Sequence, residues 1–163
     1  MSLLELCQWL QDTQIGTGIR ESLWVFPIIE GTHVLGLALS VGAVMWFDLR
    51  LAGVKLRHQS VSEVFSHLKP LMAIGFTLMF VTGTLLFWAN AARCYESTYF
   101  RIKMILLVLA GLNMLAFHLT IDRRRNEWDK APTPPFPARL AGILSLVIWT
   151  GVIAVGRIMA YNL

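Results

Sequence analysis

Four apolar runs, at 23–47, 71–92, 104–121 and 140–161, decide most of what this chain can become. Each is long enough to cross a bilayer, because a spanning helix needs about 20 mostly apolar residues. Composition points the same way: 56% of the 163 residues are apolar, 15% are charged and six are tryptophan, too oily for a soluble domain of this length. The backbone in lipid must satisfy its own hydrogen bonds, which leaves helices for segments of this kind. The expected fold class is therefore an all-α membrane protein, a four-transmembrane-helix up-down bundle, with residues 1–163 forming a single membrane domain. The first run is too long for a signal core and follows Glu5, Asp12 and Glu21 rather than a basic stretch, so it reads as a retained span.

Orientation follows from the lysines and arginines. Loops one and three and their flanks hold nine: Arg50, Lys55, Arg57, Lys69, Arg123, Arg124, Arg125, Lys130 and Arg139. The opposite side holds five: Arg20, Arg93, Arg101, Lys103 and Arg157. The excess puts both termini outside and the two basic loops in the cytoplasm. The net charge of +4 is then a property of topology and calls for no nucleic-acid partner.

Residues 2–13 carry Leu3, Leu6, Cys7 and Leu10 at helical spacing, with Trp9 beside them, which predicts a short amphipathic helix in the outer interface. Ile15-Gly16-Thr17-Gly18 reads as a turn completing a segment 1–20 before the first span. In loop one, Ser60 and Glu63 have capping-box spacing and predict a short cytoplasmic helix ending near Pro70. In loop three, the basic run Arg123 to Arg125 precedes a proline-rich segment at 131–137 that reads as an extended linker. Gly75, Thr82 and Gly83 in span two, and Gly142, Ser145, Trp149, Gly156 and Ala160 in span four, suggest close packing faces.

Ionisable groups inside apolar spans are costly enough to suggest a purpose. Span one carries Glu30, His33, Ser40 and Asp48 within one arc of a helix. Glu30, Lys103 and Arg157 all fall in the outer half, and a carboxylate shared by two cations would be tolerable there, so the three are expected to form a polar cluster. His33 and His118 lie deep in their spans, His67 lies near Pro70, and Asn113 flanks the stripe on span three that leads to His118. Histidines on facing helices of a bundle can hold haem b by axial ligation, which makes His33, His67, His118 and Asn113 candidate cofactor-binding residues. At 1.5 Å per residue the depth offset is about 13 Å for His33 with His118, and about 10 Å for His67 with His118. Copper competes, because thioethers suit Cu(I) and Met114 stands one turn before His118; His33, His118 and Met114 are the candidate metal ligands. There is no Cys-x-x-Cys-His, nucleophile elbow, HExxH or phosphate-binding glycine loop. Cys7 and Cys94 both fall on the outer side, and their pairing is left open.

The pattern Glu30-x-x-His33, Asp48-Leu-Arg-Leu-Ala-Gly53, Thr82-Gly83, Phe100-x-x-Lys103, Asn113, His118 and Gly156-Arg157-x-x-Ala-Tyr161 resembles a family of small bacterial four-span proteins. That family looks distantly similar to copper-resistance D-like membrane domains and to four-helix b-type cytochromes. The resemblance covers nearly the whole chain and implies an inner-membrane protein whose polar span residues matter; with the cation count above, both termini are then expected to be periplasmic. The two-histidine pairs of the cytochromes do not map onto this chain: span one has one deep histidine, span three has one and span four has none. Three functions stay open: a b-haem protein of membrane electron transfer, a non-enzymatic membrane subunit or anchor for a periplasmic partner, and copper handling. Partners open to such a chain are the lipid bilayer, a periplasmic redox or metal-binding protein, and further copies of itself.

Overall fold

The computed structural model describes residues 2–162, the side chain of Asn162 excepted. The described residues form helices throughout: α1 (Leu3–Gln11), α2 (Gln14–Glu21), α3 (Val25–Leu51), α4 (Val61–Ala89), α5 (Ala91–Glu96), α6 (Thr98–Ala116), α7 (Arg125–Trp128) and α8 (Phe136–Asn162). A π-helical turn at Phe117–Ile121 and a 3₁₀ turn at Asp122–Arg124 carry α6 on into α7. Helices α3, α4 and α8, and the continuous segment from Thr98 to Trp128, are each long and apolar enough to cross a membrane. The chain is a four-span membrane protein with short helices at its N-terminus.

The spans do not close evenly. α3 packs along α4, α8 packs against both α3 and α6, and α4 meets α6 through side chains at their ends. Phe87 stacks on Phe100 at one end, with centroids 5.5 Å apart, and the edge of Phe65 meets His118 at the other, at 6.2 Å. Glycine sets the closest approach. A Cβ on Gly75 would lie 2.5 Å from the Ser40 amide nitrogen and 2.8 Å from the Gly36 carbonyl oxygen, so only a bare backbone fits this α3–α4 crossing.

The end carrying the α3–α4 and α7–α8 connections, the basic end, is locked by polar contacts. Arg50 is wholly buried; its Nε donates to the Gln59 carbonyl at 2.9 Å and one terminal nitrogen to that of Ala131 at 3.0 Å. The Asp129 carbonyl accepts from the Val61 amide and its carboxylate from the Ser62 amide, at 3.0 and 2.7 Å, which satisfies the first turn of α4. The segment expected to be an extended linker is thus part of the packed end, with Pro134 buried. Ser60 does cap a helix, accepting from the Glu63 amide at 3.1 Å. That helix does not stop near Pro70: it is α4 itself, continuing to Ala89. Pro70 removes one backbone bond, but Val61 and Val64 on the near side are anchored in the core with Phe47, Leu51 and Phe117, so the helix gains more by continuing than the lost bond costs.

At the opposite end, Ser2 and Glu5 form a reciprocal capping box that starts α1. The glycines expected to make a turn lie inside α2, where Gly16 is buried hard against the Gln11 backbone. These helices are docked, not merely surface-bound. Trp88 donates to the Leu10 carbonyl and Thr13 hydroxyl, at 3.0 and 2.9 Å, and Arg20 donates to the carbonyls of Gln11 and Ala89, at 3.1 and 3.2 Å.

Candidate functional site

Where α4 and α6 stand apart, the four spans enclose a cavity of about 490 Å³ toward the basic end. That is within the ~300–1,000 Å³ range of small-molecule sites. Its walls are aromatic and thioether: Phe47, Phe65, Phe76, Phe117, Trp149 and Met72. The polar groups lining it come from all four spans: Asp48, Lys69, Asn113, His118 and Ser145.

Each polar group has a defined setting. Asp48 is 4% exposed, Ser145 is its hydrogen-bonding neighbour, and its Oδ2 has no partner. Gly142 brings α8 close enough to set this pair, since a Cβ there would be 2.9 Å from the Asp48 carbonyl oxygen. Asn113 donates through Nδ2 to the Ala141 carbonyl at 3.0 Å, which leaves its own carbonyl oxygen as an acceptor. His118 sits in the π-helical turn with its Nδ1 3.0 Å from Asp122 Oδ2. A carboxylate can only accept, so Nδ1 carries the proton and the neutral ring keeps Nε2 as an acceptor. Arg125 grips the other Asp122 oxygen and lies over the Phe65 ring at 5.2 Å. Asp122 therefore fixes both the tautomer and the direction of His118.

Of the candidate ligands, His118, Asn113 and Met114 line this one cavity. His67 does not: it is exposed on α4, with Nδ1 2.9 Å from the Glu63 carbonyl. His33 lies in the other half of the bundle, its Nδ1 2.8 Å from the Thr82 hydroxyl and its ring against Gly83. Because Thr82 donates its proton to the Leu78 carbonyl, it accepts from His33 Nδ1–H. Thr82 and Phe65, the α4 neighbours of His33 and His118, are about 25 Å apart along the helix. The two histidines are too far apart to share an iron, and Asn113 belongs with His118, not with His33. Among the described residues no three His, Cys, Asp or Glu side chains gather as a metal-holding group.

The expected cluster of Glu30, Lys103 and Arg157 is not assembled. Glu30 is exposed, and among the described residues no ion pair includes it. Arg157 is exposed and turns to its own helix, donating to the Tyr161 hydroxyl at 2.8 Å with its guanidinium 4.7 Å from that ring. Lys103 is half-buried beside Gly156, near enough to His33 and Cys94 to act on both electrostatically. The missing contact has a simple cause: Glu30 lies toward a face of α3 that no other helix covers, as the open space beside Gly31 shows. Five partners escaped sequence reasoning: Thr82 for His33, Asp122 for His118, Ser145 for Asp48, and the two carbonyls on Arg50. The spacing His118-x-x-x-Asp122 was the one signal that could have been read.

Residues 23–162 match the model of a family described as "Family of unknown function (DUF6644)", and the chain belongs to that family. No curated protein and no solved structure matches it.

Proposed function

We propose that this family member is a multi-pass membrane protein that holds a ring-bearing, lipid-soluble ligand in the cavity between its spans. One observation carries this reading: a nearly inaccessible carboxylate, Asp48, whose Oδ2 has no partner within the protein and which lines an otherwise aromatic cavity. Polar groups buried in apolar surroundings are normally satisfied, so an acid left open in such a place is suited to an incoming ligand. The test is saturable quenching of Trp149 fluorescence in detergent by 4-nitroaniline, a ring compound whose N–H can donate to Asp48. Quenching should disappear in Trp149→Phe and weaken in Gly111→Leu. Gly111 lines the cavity with nothing within 4 Å of its would-be Cβ, so the leucine can fill space without a clash. Unsaturable quenching, identical in all three proteins, would sink the reading.

A second reading is favoured by His118. Its Nδ1 is held by a carboxylate and its Nε2 is left as a donor of electrons, the arrangement that orients a metal-ligating histidine. A single b-type haem with His118 as its one protein ligand fits that donor set, with Phe47, Phe65 and Phe76 offering flat walls and Lys69 and Arg125 at the basic end suited to the propionates. The group would supply one-electron chemistry; the chain's own part would be binding and orientation. Added haemin should give a Soret band that His118→Ala abolishes and free imidazole restores. An unchanged band in His118→Ala would rule this out. The Lys and Arg asymmetry supports an orientation with both termini outside an inner membrane.

A further inference from the structure

Most of the polar groups facing the cavity offer acceptors. Asp48 Oδ2 is unpartnered, and among the described residues no ion pair includes Asp48. Most of the remaining polar capacity is of the same kind. The neutral His118 has its Nδ1–H committed to Asp122 and offers Nε2, and Asn113 has one amide N–H on Ala141 and offers its carbonyl oxygen beside a second N–H. The walls present π faces, with Phe76 and Trp149 paired at 5.7 Å and Phe47 and Phe117 at 6.3 Å. Acceptors and π faces both draw positive charge, and both repel an anion. Lys69 is the cation among the lining residues; it is exposed on α4 one residue before Pro70, where its long stem lets the ammonium reach water.

We infer that the occupant of the cavity is a lipophilic organic cation, an amine or onium compound whose charge lies against Asp48 and whose apolar bulk lies against the aromatic walls. The inference rests on the cavity reading above and names the class of its ligand. A carboxylate oxygen buried without a partner is costly in an apolar interior, and a cation that brings its own apolar surface meets both the acid and the walls. Phe117 and His118 of the π-turn both line the cavity, continuing the stripe of Ala110, Asn113 and Met114.

The experiment compares three probes of one shape on the full chain in detergent: tetraphenylphosphonium, tetraphenylborate and neutral tetraphenylmethane, measured by equilibrium dialysis with a protein-free micelle control. Tetraphenylphosphonium should bind saturably and about tenfold or more tighter than either of the others, a preference worth about one power of ten in Kd. Asp48→Asn should erase the preference for the cation. If Asp48→Asn does not fold, the comparison on the wild-type chain decides by itself. Equal binding of all three probes, or tighter binding of the anion, would overturn the cation inference and leave the cavity reading standing. No saturable binding by any of them would overturn both.

Discussion

Glu30 and Asp48 stand eighteen residues apart on α3, five full turns, and so point the same way. Asp48 is enclosed by Ser145 and Gly142 of α8, whereas Glu30 is left exposed. Position around one helix says where a side chain points, and a neighbouring helix decides what it meets. His33 makes the same point. Its partner Thr82 lies on another span, and Gly83 gives its ring room: a Cβ there would be 3.1 Å from Cε1. Thr82→Val should remove the acceptor of His33 Nδ1–H and lower stability by about 0.5–1.5 kcal/mol, the range of hydrogen bonds between membrane helices. Thermal unfolding in detergent would show it, and a melting point equal to wild type would refute it. Cys94 supports a second prediction. Burial pushes its thiol up from 9.0 to about 11, Lys103 opposing and Cys7 adding to the rise. The thiol is favoured in the folded state, so this contribution to stability is complete below pH 9 and lost as pH rises toward 11. Maleimide at neutral pH should therefore modify half-buried Cys7 well before buried Cys94. Single-cysteine chains, Cys7→Ser and Cys94→Ser, separate the two rates.

Among the spans, the α3–α4 pair has the tightest contact, and one glycine marks it. Gly75→Ala would press a methyl into the Ser40 and Gly36 backbones, which cannot give way as a flexible side chain would. The expected cost is about 1–3 kcal/mol, as for other overpacked sites, read as a lower melting temperature in detergent. Gly31→Ala, with nothing within 4 Å of the new methyl, is the control and should melt as wild type or slightly higher. The existence of the four spans was legible in the sequence, because length and apolar content alone require them in lipid. Which spans touch was not. Lipid-facing and core-facing residues are both apolar, so the usual amphipathic signal that orients a helix is weak here. For the same reason Pro70 misled: the rule that proline ends a helix holds where nothing favours continuing it, and here Val61 and Val64 are anchored in the core. The individual site residues His118 and Asn113 could be singled out as polar groups in oil. Asp48 was visible as part of a stripe, but its open oxygen depends on where α8 falls.

For the whole molecule, the two ends differ in kind. The basic end is closed by Arg50, whose guanidinium ties the α3–α4 loop to the segment after α7, through Gln59 and Ala131. Arg50→Lys should destabilise this end, because an ammonium cannot reproduce a planar fork that reaches two carbonyls at once; the loss is about 1.5–3 kcal/mol per charged hydrogen bond not remade. Limited proteolysis at 53–60 and 129–135 should speed up in that variant while the α1–α2 segment keeps its resistance. The opposite end gathers α1, α2 and α5, with Gln11 accepting from the Ala92 amide at 3.2 Å, so the N-terminal helices and the α4–α6 connection lie on one side of the membrane. A membrane-impermeant maleimide can test that arrangement together with the orientation expected from the nine-to-five cation count. In a chain carrying Cys7→Ser and Cys94→Ser, Glu5→Cys and Glu96→Cys should both be labelled in intact cells. Arg57→Cys and Lys130→Cys, in the two basic connections, should react only after the cells are opened. Labelling of Glu5→Cys and Lys130→Cys on the same side would break the four-span topology itself, whereas a clean exchange of the two groups would keep the topology and reverse its orientation. The two failures are distinct because the fold sets which sites share a side, while the distribution of lysine and arginine sets which side faces out.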